Sequence, residues 1–142
     1  MEQFELKDKE GKIYLKARIE EHNPWIYGQW IGNISVTQLQ EGLEELIQFF
    51  HRTQCPYVIS DRRLAQGNWF EINNWLQNIW IPKAVREGLQ YMGHVIAPEY
   101  QSKVSAKDLE GRLLGIKFKV FETLDDAETW MRSIVEANHN KS

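Results

Sequence analysis

"WIYGQWIGNISVTQLQEGLEELIQFF", Trp25 to Phe50, is where the chain changes its period. Its first eight residues, Trp25 to Gly32, read as a strand, with Gly28 marking a bulge or a close backbone approach. From Val36 the apolar positions fall at Leu39, Leu43, Leu46, Ile47 and Phe50, the spacing of one helix face. Ser35, with Gln38 three residues later, forms a capping box at the junction. The helix should end near Cys55-Pro56.

Upstream of this junction the pattern is strand-like. "FEL" and "KIYLKARIE" alternate, with Ile13, Leu15, Ala17 and Ile19 on one side. Lys12, Tyr14, Lys16, Arg18 and Glu20 fall on the other. "DKEG" between them is a hairpin turn with Gly11 in the left-handed position. Downstream, "YVIS" is a short buried strand. A second box, Asn68 with Glu71, starts a helix running to Trp80, and Pro82 opens a further helical segment. "YMGHVIA" is a strand and "SAKDLEGRL" a short helix. "IKFKVF" sets Ile116, Phe118 and Val120 against Lys117 and Lys119, which suits a strand at or near an edge. Thr123 caps a last helix carrying Ala127, Trp130, Met131, Ile134 and Val135 at helical spacing. The order β-β-β-α-β-α-β-α-β-α predicts an α/β fold: a mixed sheet of about five to six strands with helices packed on it.

Composition narrows the function classes. The 142 residues are expected to form one domain, 1–142, large enough for a core without metal or disulfide support. A net charge of −3, with Arg62-Arg63 the only adjacent basic pair, excludes a general nucleic-acid binder. No apolar run approaches the length of a membrane span. A single cysteine, Cys55, and no apolar leader behind a basic start point to the cytoplasm. Six tryptophans in so short a chain indicate a bulky aromatic core or an aromatic-lined pocket.

No catalytic template is present: no G-x-S-x-G, no phosphate-binding glycine loop, no H-E-x-x-H and no C-x-x-C. The four histidines, His22, His51, His94 and His139, never pair at helical spacing, so neither a metal site nor a cofactor is expected. His94 lies in an apolar run and reads as a hydrogen-bonded core histidine. The segment "SDRRLAQGNWF", Ser60 to Phe70, holds the candidate site. Asp61 falls at the predicted end of a buried strand, where open α/β sheets place ligands. Two readings stand side by side. Asp61 is a polar anchor or acid/base with Arg62 or Arg63 as an anion clamp, or the three side chains satisfy the loop itself.

At roughly 100° per residue, Trp69, Ile72, Trp75, Leu76, Ile79 and Trp80 share one core-facing arc. Phe70, Asn73, Asn74 and Gln77 share the other side, where Glu71 is the only ionic group. An amide-rich face with one aromatic suits burial against a partner or a neighbouring loop.

The order of elements, "WIG" before the first helix, "YVISDRR" before a tryptophan-rich helix, and the closing "FETLDDAETWM" resemble the SpoIIAA-like branch of the STAS superfamily, in an uncharacterised bacterial lineage. The resemblance spans roughly Lys12 to Val135. It implies a non-enzymatic module whose relatives switch partners by phosphorylation of a serine at a helix N-terminus. The matching place here is the "GNW" turn, and from Asp61 to Gln101 the chain has no serine or threonine. The expectation is therefore a regulatory or protein-interaction domain without that switch, with another protein or a second copy in a homodimer as its partner. The alternative is a small apolar ligand or lipid held by Trp25, Trp30, Trp69, Trp75 or Trp80, with Asp61 or Arg62 orienting its polar end. An enzyme using Asp61 and His94 would need both in one cleft.

Overall fold

A computed structural model describes residues 2–19, 22–67, 69–97 and 100–140. Its described strands form one six-stranded sheet in sequential order: β1 (Glu2–Lys7), β2 (Ile13–Ile19), β3 (Ile26–Asn33), β4 (Tyr57–Gln66), β5 (Tyr91–Val95) and β6 (Lys117–Phe121). The β1–β2 and β2–β3 pairs are antiparallel, and the remaining pairs are parallel. The parallel steps require crossovers, which the helices supply. These are α1 (Val36–Thr53), a compound helical segment after β4, and α4 (Tyr100–Glu110). α5 (Leu124–His139) follows β6.

The alternation read at the start of the chain holds with one correction. Gly11 adopts φ +83° in the turn. Tyr14, expected on the solvent side with Lys16, is buried. Leu6 pairs with Leu15 while Lys7 pairs with Ile13, so Tyr14 is the extra residue of a bulge. A bulge lets consecutive side chains share a face, and the Tyr14 hydroxyl reaches Glu41 of α1 at 3.2 Å.

The capping box is present as expected: Gln38 N–H donates to Ser35 Oγ at 3.1 Å and Ser35 N–H to Gln38 Oε1 at 3.0 Å. α1 buries Leu39, Leu43, Leu46, Phe49 and Phe50 against one face of the sheet, here the front face. A smaller cluster on the back face joins Trp25, Ile59, Val95 and Phe121 to Ala127 and Met131 of α5. β6 is an edge strand, as its lysines suggested. Glu110 further protects that edge by accepting the Val120 N–H at 3.2 Å.

Gly42 is the small residue that lets α1 approach the sheet. A Cβ there would lie 2.5 Å from Trp30 Cη2 and 3.0 Å from Leu15 Cδ2. Alanine normally stabilises a helix interior over glycine by about 1 kcal/mol. Here the buried indole opposes it, and Gly42→Ala should destabilise the fold by about 1–3 kcal/mol. Urea unfolding checks the sign.

Candidate functional site

The candidate segment is not a loop. β4 continues through Asp61, Arg62 and Arg63 to Gln66, so Asp61 sits mid-strand rather than at a strand end. The irregularity expected at Gly28 lies opposite, in β4. Gln29 pairs with Asp61 but Ile31 with Leu64, which gives β4 one extra residue. A Cβ added to Gly28 would lie at ordinary contact distance from Leu15 and Leu46.

Strand alternation then separates the three polar neighbours. On the back face Asp61, 1% exposed, accepts from Tyr27 Oη at 2.5 Å. It also takes the Arg63 backbone N–H at 3.0 Å, Arg63 Nε at 3.0 and 3.2 Å, and Arg63 Nη2 at 2.7 Å. Burial pushes the Asp61 carboxyl up, but the Arg63 and Tyr27 hydrogen bonds together outweigh it and hold the group below the usual carboxylate range. Such an aspartate is a fixed anion with its lone pairs engaged, unsuited to proton transfer near neutral pH. The satisfied reading of Asp61 and Arg63 is thus the one their geometry matches.

Arg62 goes to the front face and is 3% exposed. Its guanidinium lies 3.8 Å from the Trp69 ring centroid and donates to the Gly67 carbonyl at 3.2 Å. Gly67 makes this possible: its φ is +140°, and a Cβ would sit 2.7 Å from Trp69 Nε1 and 2.9 Å from the Ile34 carbonyl. The Asn68–Glu71 box named above lies outside the described residues at Asn68. The described turn begins with Trp69 at the cap position and no side-chain cap.

The helix after that turn is not a regular α-helix. A 3₁₀ turn (Phe70–Ile72) leads through α2 (Asn73–Trp75) into a π-helical turn (Leu76–Trp80) and then α3 (Ile81–Arg86). Pro82 has no N–H, and in an α-helix its ring would crowd the carbonyl four residues back. The widened turn, with Ile81 N–H bonded to the Leu76 carbonyl, precedes it. The altered winding corrects the 100° reading. Ile79 is 44% exposed rather than core, and Asn73 is 2% exposed rather than on an open face. Asn73 Nδ2 donates to the Ser105 carbonyl and to Asp108 Oδ2, both at 3.0 Å. Arg112 Nη1 donates to Asn74 Oδ1. The amides therefore pack against the chain's own α4 region. Gln77 is half-buried, and Phe70 remains 42% exposed.

A cavity of about 50 Å³ lies under this helix on the front face. Trp30, Trp69 and Trp80 line it with Ser60, Arg62 and His94. Each indole N–H is engaged: Trp30 to Ser60 Oγ at 3.1 Å, Trp69 to the Ile34 carbonyl at 3.2 Å, Trp80 to the Leu43 carbonyl at 2.7 Å. Trp25 belongs to the back cluster and Trp75 is half-buried outside the cavity wall. Ser60 and His94 are cross-strand partners. His94 is not the hydrogen-bonded histidine expected, since its Nδ1 is buried without a hydrogen-bond partner. Burial first, then the Arg62 charge, drives its pKa down to about 3. Asp61 does not line this cavity, so the two residues of the enzyme reading do not share it.

Trp30 is among the tryptophans named from the sequence for a ligand pocket, whereas Ser60 was missed as a site residue. Its signal, a hydroxyl that accepts from Trp30 two positions along β3 from its register partner Gly28, appears only once register is known. Among the described residues no three His, Cys, Asp or Glu side chains group as metal ligands, and no helix is long and apolar enough to cross a membrane.

No protein-family model matches the chain, and no curated protein matches it. Solved structures do. An uncharacterized protein of the DUF3478 family with a SpoIIAA-like fold, from Shewanella loihica, aligns with a TM-score of 0.53 at 14% identity, over 82% of this chain and 91% of that one. An anti-sigma factor antagonist from Mycobacterium paratuberculosis aligns with a TM-score of 0.53 at 18% identity, over 89% and 99%. At these identities the likeness shows the fold, which is SpoIIAA-like.

Proposed function

We propose that this protein is a non-enzymatic STAS-like module that binds a protein partner through the β4–helix connection, without a phosphorylatable serine in that turn. The observation that carries the reading is Leu64 near the end of β4 and Phe70 at the start of the helical segment, which are 58% and 42% exposed. Asp61, Arg63 and Asn73 all face fixed partners within the chain. A rigid frame presenting apolar side chains is suited to docking. The anti-sigma factor antagonist of the same fold supports a protein as the class of partner.

Leu64→Asp and Phe70→Asp test it. Both sites are solvent-exposed, so melting temperatures should stay within a few degrees of wild type. Native mass spectrometry of the tagged protein isolated from its own cells should show a protein adduct or a dimer that both variants lose. Retention of the wild-type assembly by both variants sinks the assignment of this surface.

A further inference from the structure

We propose that the front-face cavity is a halide site, taking chloride, with the His94 Nδ1–H and the Ser60 hydroxyl as donors to the ion beside the Arg62 guanidinium. Strand geometry brings the three side chains together. Ser60 and Arg62 stand two apart in β4 and both line the cavity, and His94 of β5 is the register partner of Ser60. The Ser60 oxygen already accepts from Trp30, which leaves its own proton to give. His94 Nδ1 is buried with no hydrogen-bond partner among the described residues, a costly state for a polar atom unless a guest completes it.

Size and charge then choose the guest. At about 50 Å³ the space is roughly a third of the ≈150 Å³ cavity that admits benzene, so it holds one heavy atom or two. A halide is a single atom; sulfate and the carboxylates are too large. The positive charge of Arg62 acts on His94. Asp61, the other charge acting on His94, is engaged by Arg63 and Tyr27 on the back face. The Trp30, Trp69 and Trp80 N–H groups already have acceptors, so the Ser60 hydroxyl and the imidazole are the pair that serves a guest, and both can donate. A halide accepts from both at once and is drawn by the guanidinium, whereas a neutral water gains far less from that charge. A ligand of one heavy atom reaches half-saturation on the order of 100 mM.

The experiment is an NMR titration of the full chain at neutral pH and constant ionic strength, replacing sodium gluconate by sodium chloride. Saturable shifts are expected at the His94 ring nitrogens and the Trp30 indole, with the proton on His94 Nδ1. Replacing gluconate by sulfate should give neither effect. His94→Phe keeps a ring beside Phe118, on which His94 stacks, and removes the donor. That variant should bind chloride at least tenfold more weakly. Crystals of the wild type soaked in sodium bromide should show an anomalous peak in contact with His94 Nδ1, and this peak decides alone if His94→Phe does not fold. Equal shifts with sulfate, an undiminished chloride response in His94→Phe, the absence of a saturable shift, or a water without bromide at Nδ1 overturns the proposal.

Discussion

Trp80→Ala should lower the unfolding free energy by about 3–5 kcal/mol. Trp80 is 1% exposed, packs edge-to-face on Phe50 with centroids 6.1 Å apart, and donates to the Leu43 carbonyl. It also walls the existing cavity, so truncation enlarges a void that the sheet and α1 cannot close. The cost is a large share of the about 5–15 kcal/mol that holds a typical domain together. Urea denaturation at neutral pH should show a lower midpoint with an unchanged m-value. Trp75→Ala, at a half-buried position outside the cavity wall, should cost clearly less. Equal losses from the two substitutions would mean that burial at Trp80 has been misassigned.

Acidification from pH 7 to pH 5 should cost the wild type about 2 kcal/mol that His94→Gln does not lose. The folded protein holds His94 neutral down to about pH 3, while the unfolded chain takes up its proton near the ordinary histidine value of 6.5. Between those values the unfolded state binds more protons, so stability rises with pH in that window and falls as pH drops. About 1.5 pH units at ~1.4 kcal/mol each gives the expected loss at pH 5. Asp61 has the opposite charge type, and its effect sits in a lower window. Its depressed folded pKa contributes stability above the ordinary carboxylate range and loses it as pH falls through the folded value. Comparing wild type with His94→Gln between pH 5 and 7 isolates the histidine. Parallel stability curves for the two proteins in that range would refute a neutral His94 in the folded state.

Most elements were legible because their causes are local. Ser35 with Gln38, Thr123 and Gly11 each act within a few residues, and each takes its expected role. The alternation of β6 likewise marked an edge from its own two lysines. The arrangement of the candidate segment was not legible in the sequence. Asp61, Arg62 and Arg63 are adjacent in sequence, yet β4 sends Arg62 to one face and its neighbours to the other. Helical spacing placed Asn73 outward, and α4, more than thirty residues away, covers it.

The sequence by itself determined the order of strands and helices, their caps and the mixed α/β class, because hydrophobic period and capping are set by near neighbours. Only the tertiary structure decided which side chains meet. Two one-residue register slips, at Tyr14 and between Asp61 and Leu64, and one π-helical turn before Pro82 set those meetings. Each redirects the side chains around it, and each depends on pairing or packing with distant segments. That is why the Ser60–His94 pair and the exposed Leu64 emerge from the fold and not from the pattern.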